Sequence, residues 1–230
     1  MKQLPYLRVR FDAALRPHEL PYFRAAVIER TERREALLHN HRDDTRVIYR
    51  YPLVQYKRLD RRAGIVCLGA GTDAIHALFR ASELDLQIGR RRNVFRVEDM
   101  QLTQFRLQLT PGPRPYELRH YLPFNSERIK RWQQLYGQRA AQLDLLEATL
   151  RGNLLAFAKG VGWWIDGTVR VRIDRVRRVR HLAYKGQSML GFDLSFRTNL
   201  HLAPHIGLGK GVSLGFGQLY PTPAPVRSFV

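Results

Sequence analysis

The residues of this chain best suited to moving protons are two histidines set two positions apart, His39 and His41 in "HNH". An imidazole with an ordinary pKa of ~6.5 exists in both forms near neutrality, so it serves as acid or base. In an extended segment the two side chains point the same way, and in a helix they diverge. Asp43 and Asp44 follow in "RDDT", where they orient an imidazole or shape a turn. The other histidines are weaker candidates. His76 lies in an apolar helical run and is expected to pack, while His120, His181, His201 and His205 sit among basic or loop residues. His201 and His205 have helical ligand spacing, but Pro204 and the glycines beyond it oppose a helix, so no metal site is expected there.

A second cluster lies near the C-terminus in "HIGLGKGVSLGFGQLYP". Gly207, Gly209, Gly211, Gly215 and Gly217 surround Lys210, and glycine lets main-chain N–H groups approach a phosphate closely. A dinucleotide-binding loop would need a helix and a further βαβ unit behind it, and only Gln218 to Val230 follow. A nucleoside triphosphate loop would need Ser or Thr after the lysine, where this chain has Gly211. What remains is a tight turn or a backbone loop set against an extended polyanion. No cofactor is expected.

The charge favours the polyanion. Lys and Arg number 39 against 20 Asp and Glu, a formal net charge of +19 with a pI near 10.9. In "VRVRIDRVRRVRH", Val169, Val171 and Ile173 alternate with Arg170 and Arg172, and Arg175, Arg177, Arg178 and Arg180 follow. Such a strand is expected to grip a phosphate backbone. "IGRRRNVFR" adds Arg90, Arg91, Arg92 and Arg96. In "GWWIDG" one of Trp163 and Trp164 is expected in the core and the other free to stack on bases. The most apolar stretch, "LLAFAKGVGWWI", is broken by Lys159 and is too short for a membrane span. The N-terminus lacks the apolar run of a signal peptide. The single cysteine, Cys67, excludes an internal disulfide and a thiolate zinc cluster. The expectation is a cytoplasmic nucleic-acid-binding protein.

The elements that must carry these groups follow from periodicity. "YLRVRFDA" alternates as a half-buried strand, and "PHELPYFRAAVIERT" has helical spacing with Pro17 in its first turn. "TRVIYRYPLVQYKRL" and "AGIVCLGAGT" are strands about the turn "DRRAG"; "TDAIHALFRAS" is a helix capped by Thr72; "VEDMQLTQFRLQLTP" is a strand. This β-α-β-β-α-β order is the ferredoxin-like unit. "TPGPRPY", Thr110 to Tyr116, is the predicted linker. Beyond it come the strand "YELRHYLPF", two helices of which Ser126 caps the first, a β-hairpin, the glycine loop and a last short strand. The reading is α+β, two tandem ferredoxin-like (RRM-like) domains over residues 1–110 and 116–230, the second degenerate.

On these features the chain resembles the RAMP proteins of CRISPR systems. Within them it is most similar to the repeat-processing endoribonucleases of the sixth Cas family, b-type branch. The resemblance spans nearly the whole chain as architecture. At motif level it rests on "GLGKGVSLGFGQL", "HNH" and "YPLVQYK". It implies metal-independent cleavage of repeat RNA by the ribose 2′-OH, leaving a 2′,3′-cyclic phosphate and a 5′-OH. It also implies a catalytic histidine in the first half with tyrosine or lysine helpers. The matching positions are His41, His39, Tyr49 and Lys57, Lys57 or a tyrosine holding the scissile phosphate. The implied partners are precursor and mature guide RNA, with other effector subunits or a second copy of the chain as further candidates. A noncatalytic guide-binding subunit would share the fold and the loop without needing the histidines.

Overall fold

The computed structural model describes residues 1–30, 41–43, 46–47, 51–75, 78 and 84–222. His39, Tyr49 and His76 lie outside the described residues. The first half opens with β1 (Lys2–Ala14), a 3-10 turn at Pro17–Glu19 and α1 (Leu20–Arg30). The short strands β2 (His41–Asp43) and β3 (Arg46–Val47) pair with each other. The hairpin of β4 (Val54–Leu59) and β5 (Arg62–Leu68) follows, closed by Asp60 and Arg61 with φ of 50° and 67°. Two positive φ values in a two-residue loop are what the strands' own twist favours. Then come α2 (Gly71–Ala74), the hairpin of β6 (Leu84–Ile88) and β7 (Arg91–Phe95), and β8 (Val97–Tyr121). The second half adds α3 (Ser126–Gln134), α4 (Arg139–Gly160), β9 (Val171–Tyr184), β10 (Gln187–His201) and β11 (Gln218–Pro221).

The main strands form one antiparallel sheet, β4-β5-β1-β8-β10-β9, with β11 also on β8. Two ferredoxin-like orders are written into it. In the first half β4-β5-β1-β8 places the fourth strand beside the first, and in the second β11-β8-β10-β9 repeats the arrangement. β8 therefore serves twice. Its residues from Val97 to Leu107 pair with β1, and from Gln108 to Tyr121 they pair with β10.

This corrects the predicted linker, because Thr110 to Tyr116 lie within β8. Leu109 pairs with Leu200 and Arg114 with Thr198, so Thr110 to Pro113 bulge opposite Asn199 alone. Pro111 and Pro113 have no amide hydrogen to give a ladder, and a bulge absorbs them without ending the strand. The cap of α3 also moves by one residue: Asn125 accepts the Arg128 amide at 2.9 Å, and Ser126 is the first helical residue. Thr72 does not cap α2, for Ala70 holds that place. Among the described residues no α-helix follows β10, only a 3-10 turn at Val212–Leu214. The glycine segment stands in its place.

Two cores flank the sheet. One gathers Val9, Phe11, Phe23, Tyr56 and Ile65 under α1 and the β6–β7 hairpin. The other joins Leu118, Leu150, Phe157, Phe192 and Phe196 under α4 and extends to Leu4, Tyr6, Val66 and Leu68 of the first half. The halves thus share hydrophobic packing as well as a strand. No helix among the described residues is long and apolar enough to cross a membrane.

Candidate nucleic-acid interface

β4 is buried on both faces, which fixes the glycine segment. Tyr56 turns toward Phe23 of α1, their rings 5.9 Å apart. Gln55 and Lys57, on the opposite side of the pleat, meet the segment instead. Gln55 Oε1 accepts the Gly207 amide at 2.9 Å, and Tyr51 donates its hydroxyl to the Gly207 carbonyl at 2.8 Å. Gln55 Nε2 donates to the Tyr51 oxygen at 2.9 Å, closing the circuit. Lys57 Nζ donates to the Val212 carbonyl at 3.1 Å. A Cβ on Gly207 would lie 2.6 Å from Val212 Cγ1 and 2.9 Å from Lys57 Nζ, so glycine is needed for this approach.

Lys57 is therefore not where a phosphate-holding lysine must be. It is fully buried and tied to the loop's backbone, and burial pushes its pKa down to about 7. Nothing in "YPLVQYK" announces this, since the segment that covers it lies some 150 residues downstream.

Most of the loop's donors are also engaged within the protein. The amides of Leu208, Lys210 and Gly217 donate to Gly217, Leu122 and His120, and those of Gly215 and Phe216 to Val212 and Gly211. A segment with only one 3-10 turn has to satisfy its backbone in this way. Gly207, Gly215 and Gly217 thus have no amide left for a phosphate, which corrects the expectation for those three. The amides of Gly209 and Gly211 have no protein acceptor among the described residues, and Lys210 lies between them. Gly209 has φ +85°, and a Cβ there would lie 2.7 Å from the Leu122 carbonyl oxygen. A side chain at that position would disturb the fold before it disturbed any ligand.

His41 is in extended backbone, paired with Val47 across β2 and β3. Two other histidines are held uncharged near neutrality. His205 (φ 61°) lies 3.1 Å from Gln218 Nε2 through Nδ1, and burial, then Arg8 and Lys57, push its pKa down to about 4. His120 (φ 53°) donates its amide to Asp193 Oδ1 at 2.7 Å, and burial lowers its pKa. Both take left-handed backbone, His205 at the turn into the loop and His120 at a register shift within β8, a signal that no spacing rule in the sequence reveals.

The arginines of β9 are where the alternation placed them. Val169, Val171 and Ile173 are buried, while Arg170 and Arg172 are exposed. Register shifts near Asp174 and Arg177 insert an extra residue in β9, so the arginines beyond them splay across the outer face. Some are neutralised: Arg177 and Arg119 share Glu117 at 2.8 and 3.0 Å, Arg180 meets Asp193 at 2.9 Å, and Arg197 meets Asp174 at 2.7 Å. Arg170, Arg172, Arg175 and Arg178 have no carboxylate partner among the described residues. A groove of about 390 Å³ opens among Arg119, His120, Arg177, Arg178 and Arg180. Trp163 is 4% exposed and Trp164 90%, the division expected of the pair.

Comparison with known proteins gives the same outline. A model of the Cas6b N-terminal domain matches residues 2–106, and one of the Cas6b C-terminal domain matches residues 108–222. A solved structure of a Cas6b is similar with a TM-score of 0.86 at 23% identity, covering 96% of this chain and 100% of that one. A CRISPR RNA processing endoribonuclease Cas6b is similar with a TM-score of 0.71 at 19% identity, over the same shares. A RAMP protein binding different RNA substrates is similar with a TM-score of 0.53 at 11% identity, again covering 96% and 100%. An uncharacterised protein of Methanocaldococcus jannaschii is 29% identical over 76 residues, 33% of this chain. The chain spans about half (51%) of the length of that curated relative.

Proposed function

The chain belongs to the Cas6b family, and from that premise we propose that it is an endoribonuclease that cuts CRISPR repeat RNA in precursor transcripts to release guide RNA. The observation that carries the RNA reading is the outer face of β9 and its approach, where Arg170, Arg172, Arg175 and Arg178 have no carboxylate partner among the described residues. Unpaired arginines on one face of a sheet are an electrostatic footprint for a phosphate backbone. On this reading residues 116–230 grip the RNA, through that face and through Gly209, Lys210 and Gly211. Residues 1–110 supply the chemistry.

The reaction needs a base for the 2′-OH, an acid for the departing 5′-oxygen, and donors around the phosphorane. The 2′-oxygen attacks phosphorus, the bond to the 5′-oxygen breaks, and the products are a 2′,3′-cyclic phosphate and a 5′-OH. His41 is our first choice for a proton-transfer group, with His39 and Tyr49 as its partners. Lys57 acts one step removed by holding the loop. Neither proton task requires a metal ion. The protein is expected to work in the cytoplasm.

The test is incubation of end-labelled repeat RNA, chosen by sequencing RNA that copurifies with the protein, in buffer containing EDTA. Cleavage with a cyclic-phosphate end, stopped by a single 2′-deoxy substitution 5′ to the cut, supports the proposal. A 3′-OH end or loss of activity in EDTA contradicts the chemistry. Tight binding without any cut would instead identify a noncatalytic guide-binding subunit.

A further inference from the structure

Beside the proline bulge of β8 lies a groove of about 420 Å³, bounded by Pro111, Pro113, Val171, Arg170, Arg172 and Thr198. Its floor is stitched by Asn199, whose Oδ1 accepts the Arg170 amide at 2.8 Å and whose Nδ2 donates to the Thr168 carbonyl at 2.9 Å. Three observations suggest that something binds there. Arg172 stands directly opposite Arg197 in the ladder, and like charges so placed repel. Asp174 satisfies only Arg197, through Nε at 2.9 Å and Nη2 at 2.7 Å, which leaves Arg170 and Arg172 without a counter-charge. Thr198, 1% exposed, has a buried hydroxyl with no hydrogen-bond partner among the described residues.

A second groove of about 230 Å³ adjoins the first across Pro113. It holds Arg114 and the ring pair Phe105 and His201, whose centroids are 4.7 Å apart. Each groove thus combines an apolar or aromatic wall with at least one arginine. That combination suits a nucleotide, with a base or ribose against the wall and its phosphate against the guanidinium. The larger volume falls in the ~300–1,000 Å³ range of small-ligand pockets. A duplex keeps its bases stacked inside and would offer these walls nothing.

We propose that the two grooves beside the β8 bulge receive successive unpaired nucleotides of the RNA, so that the protein reads a single-stranded segment there and a phosphate backbone on the outer face of β9. This rests on the RNA-binding reading above and assigns a task to residues outside it, Pro111, Pro113, Arg114 and Thr198.

The experiment compares two probes by fluorescence anisotropy on the full chain, an oligouridylate of roughly ten nucleotides and a blunt-ended RNA duplex. Pro113→Glu places an acid in the shared wall, and Pro111→Gly/Pro113→Gly removes the wall without adding charge. Pro113 is exposed, so both variants should melt near the native protein. Each should weaken oligouridylate binding about tenfold or more, the scale of one base stacked on a side chain, and change duplex binding by less than about twofold. Equal losses on both probes, or no loss on either, would overturn the grooves as a single-strand site. If the native protein binds neither probe, the RNA reading itself fails along with the proposal.

Discussion

Arginines line strands of both halves of this molecule, but those of β1, β5 and β7 are tied to carboxylates while several at β9 are not. On the first half, Arg8 meets Asp99 at 2.8 Å, Arg10 meets Asp60 at 2.8 Å and Glu98 at 3.0 Å, and Arg62 meets Glu98 at 2.5 Å. The basic hairpin of β6 and β7 is similar, with Arg91 on Glu19 and Arg92 on Asp85. On the second half, four arginines of β9 and its approach have no carboxylate partner among the described residues. The count of cations in a stretch is therefore a poor guide to where a polyanion binds. On the proposed reading, whether carboxylates stand within reach decides it, and their positions come from strand register. On that same reading, the second half supplies the grip and the first half the cleavage chemistry.

The largest expected effect tests that division directly. His41→Ala should slow single-turnover cleavage by at least about a hundredfold while leaving RNA affinity unchanged. Cleavage at the native rate would move the role to His39 or remove it from this half. Next, the triple change Arg172→Ala, Arg175→Ala, Arg178→Ala should weaken repeat-RNA binding. It should also reduce the slope of log affinity against log salt by roughly two, about 0.7 for each phosphate no longer neutralised. The rate at saturating RNA should not move. The matching change on the first half, Arg10→Ala with Arg62→Ala, should alter affinity by less than about twofold in the same titration. A loss as large as that of the triple variant would break the comparison.

The smallest expected effect concerns Lys57. Its folded pKa of about 7 lies below the ordinary lysine value, so the unfolded chain binds more protons between those limits. Stability should therefore rise as pH increases above 7 toward 10, and fall back as pH returns through that window. Lys57→Met should remove this slope in pH-dependent melting curves while leaving the repeat-RNA salt slope intact. A slope unchanged in the variant would place its origin elsewhere.

Local patterns revealed β1, the β9–β10 hairpin, α4 and the doubled strand–helix order, because each rests on periodicity within a single segment. Tertiary arrangements left no such trace. Three prolines and a glycine in "TPGPRPY" have the composition of a linker, and only the partner strand β10 shows that they form a bulge. Alternation in β4 puts Gln55 and Lys57 on one face, but it cannot say that a distant loop covers that face. The glycines were legible as a group. Their work differs one by one: Gly207 makes room for Lys57, Gly217 donates to His120, and the amides of Gly209 and Gly211 have no acceptor among the described residues. Gly209→Val should accordingly lower the melting temperature, whatever it does to affinity.

A strand common to both halves also governs how the molecule can move. With β1 bonded to one part of β8 and β10 to the other, the halves have no swivel between them. Any opening must flex β8 itself, and the point of least resistance is Thr110 to Pro113, where the ladder to β10 is interrupted and two prolines have no amide hydrogen to release. Amide hydrogen exchange should then be faster at Gly112 and Arg114 than at Leu107 or Leu118, and the bulge would act as a flexure that lets the two halves breathe without either sheet coming apart.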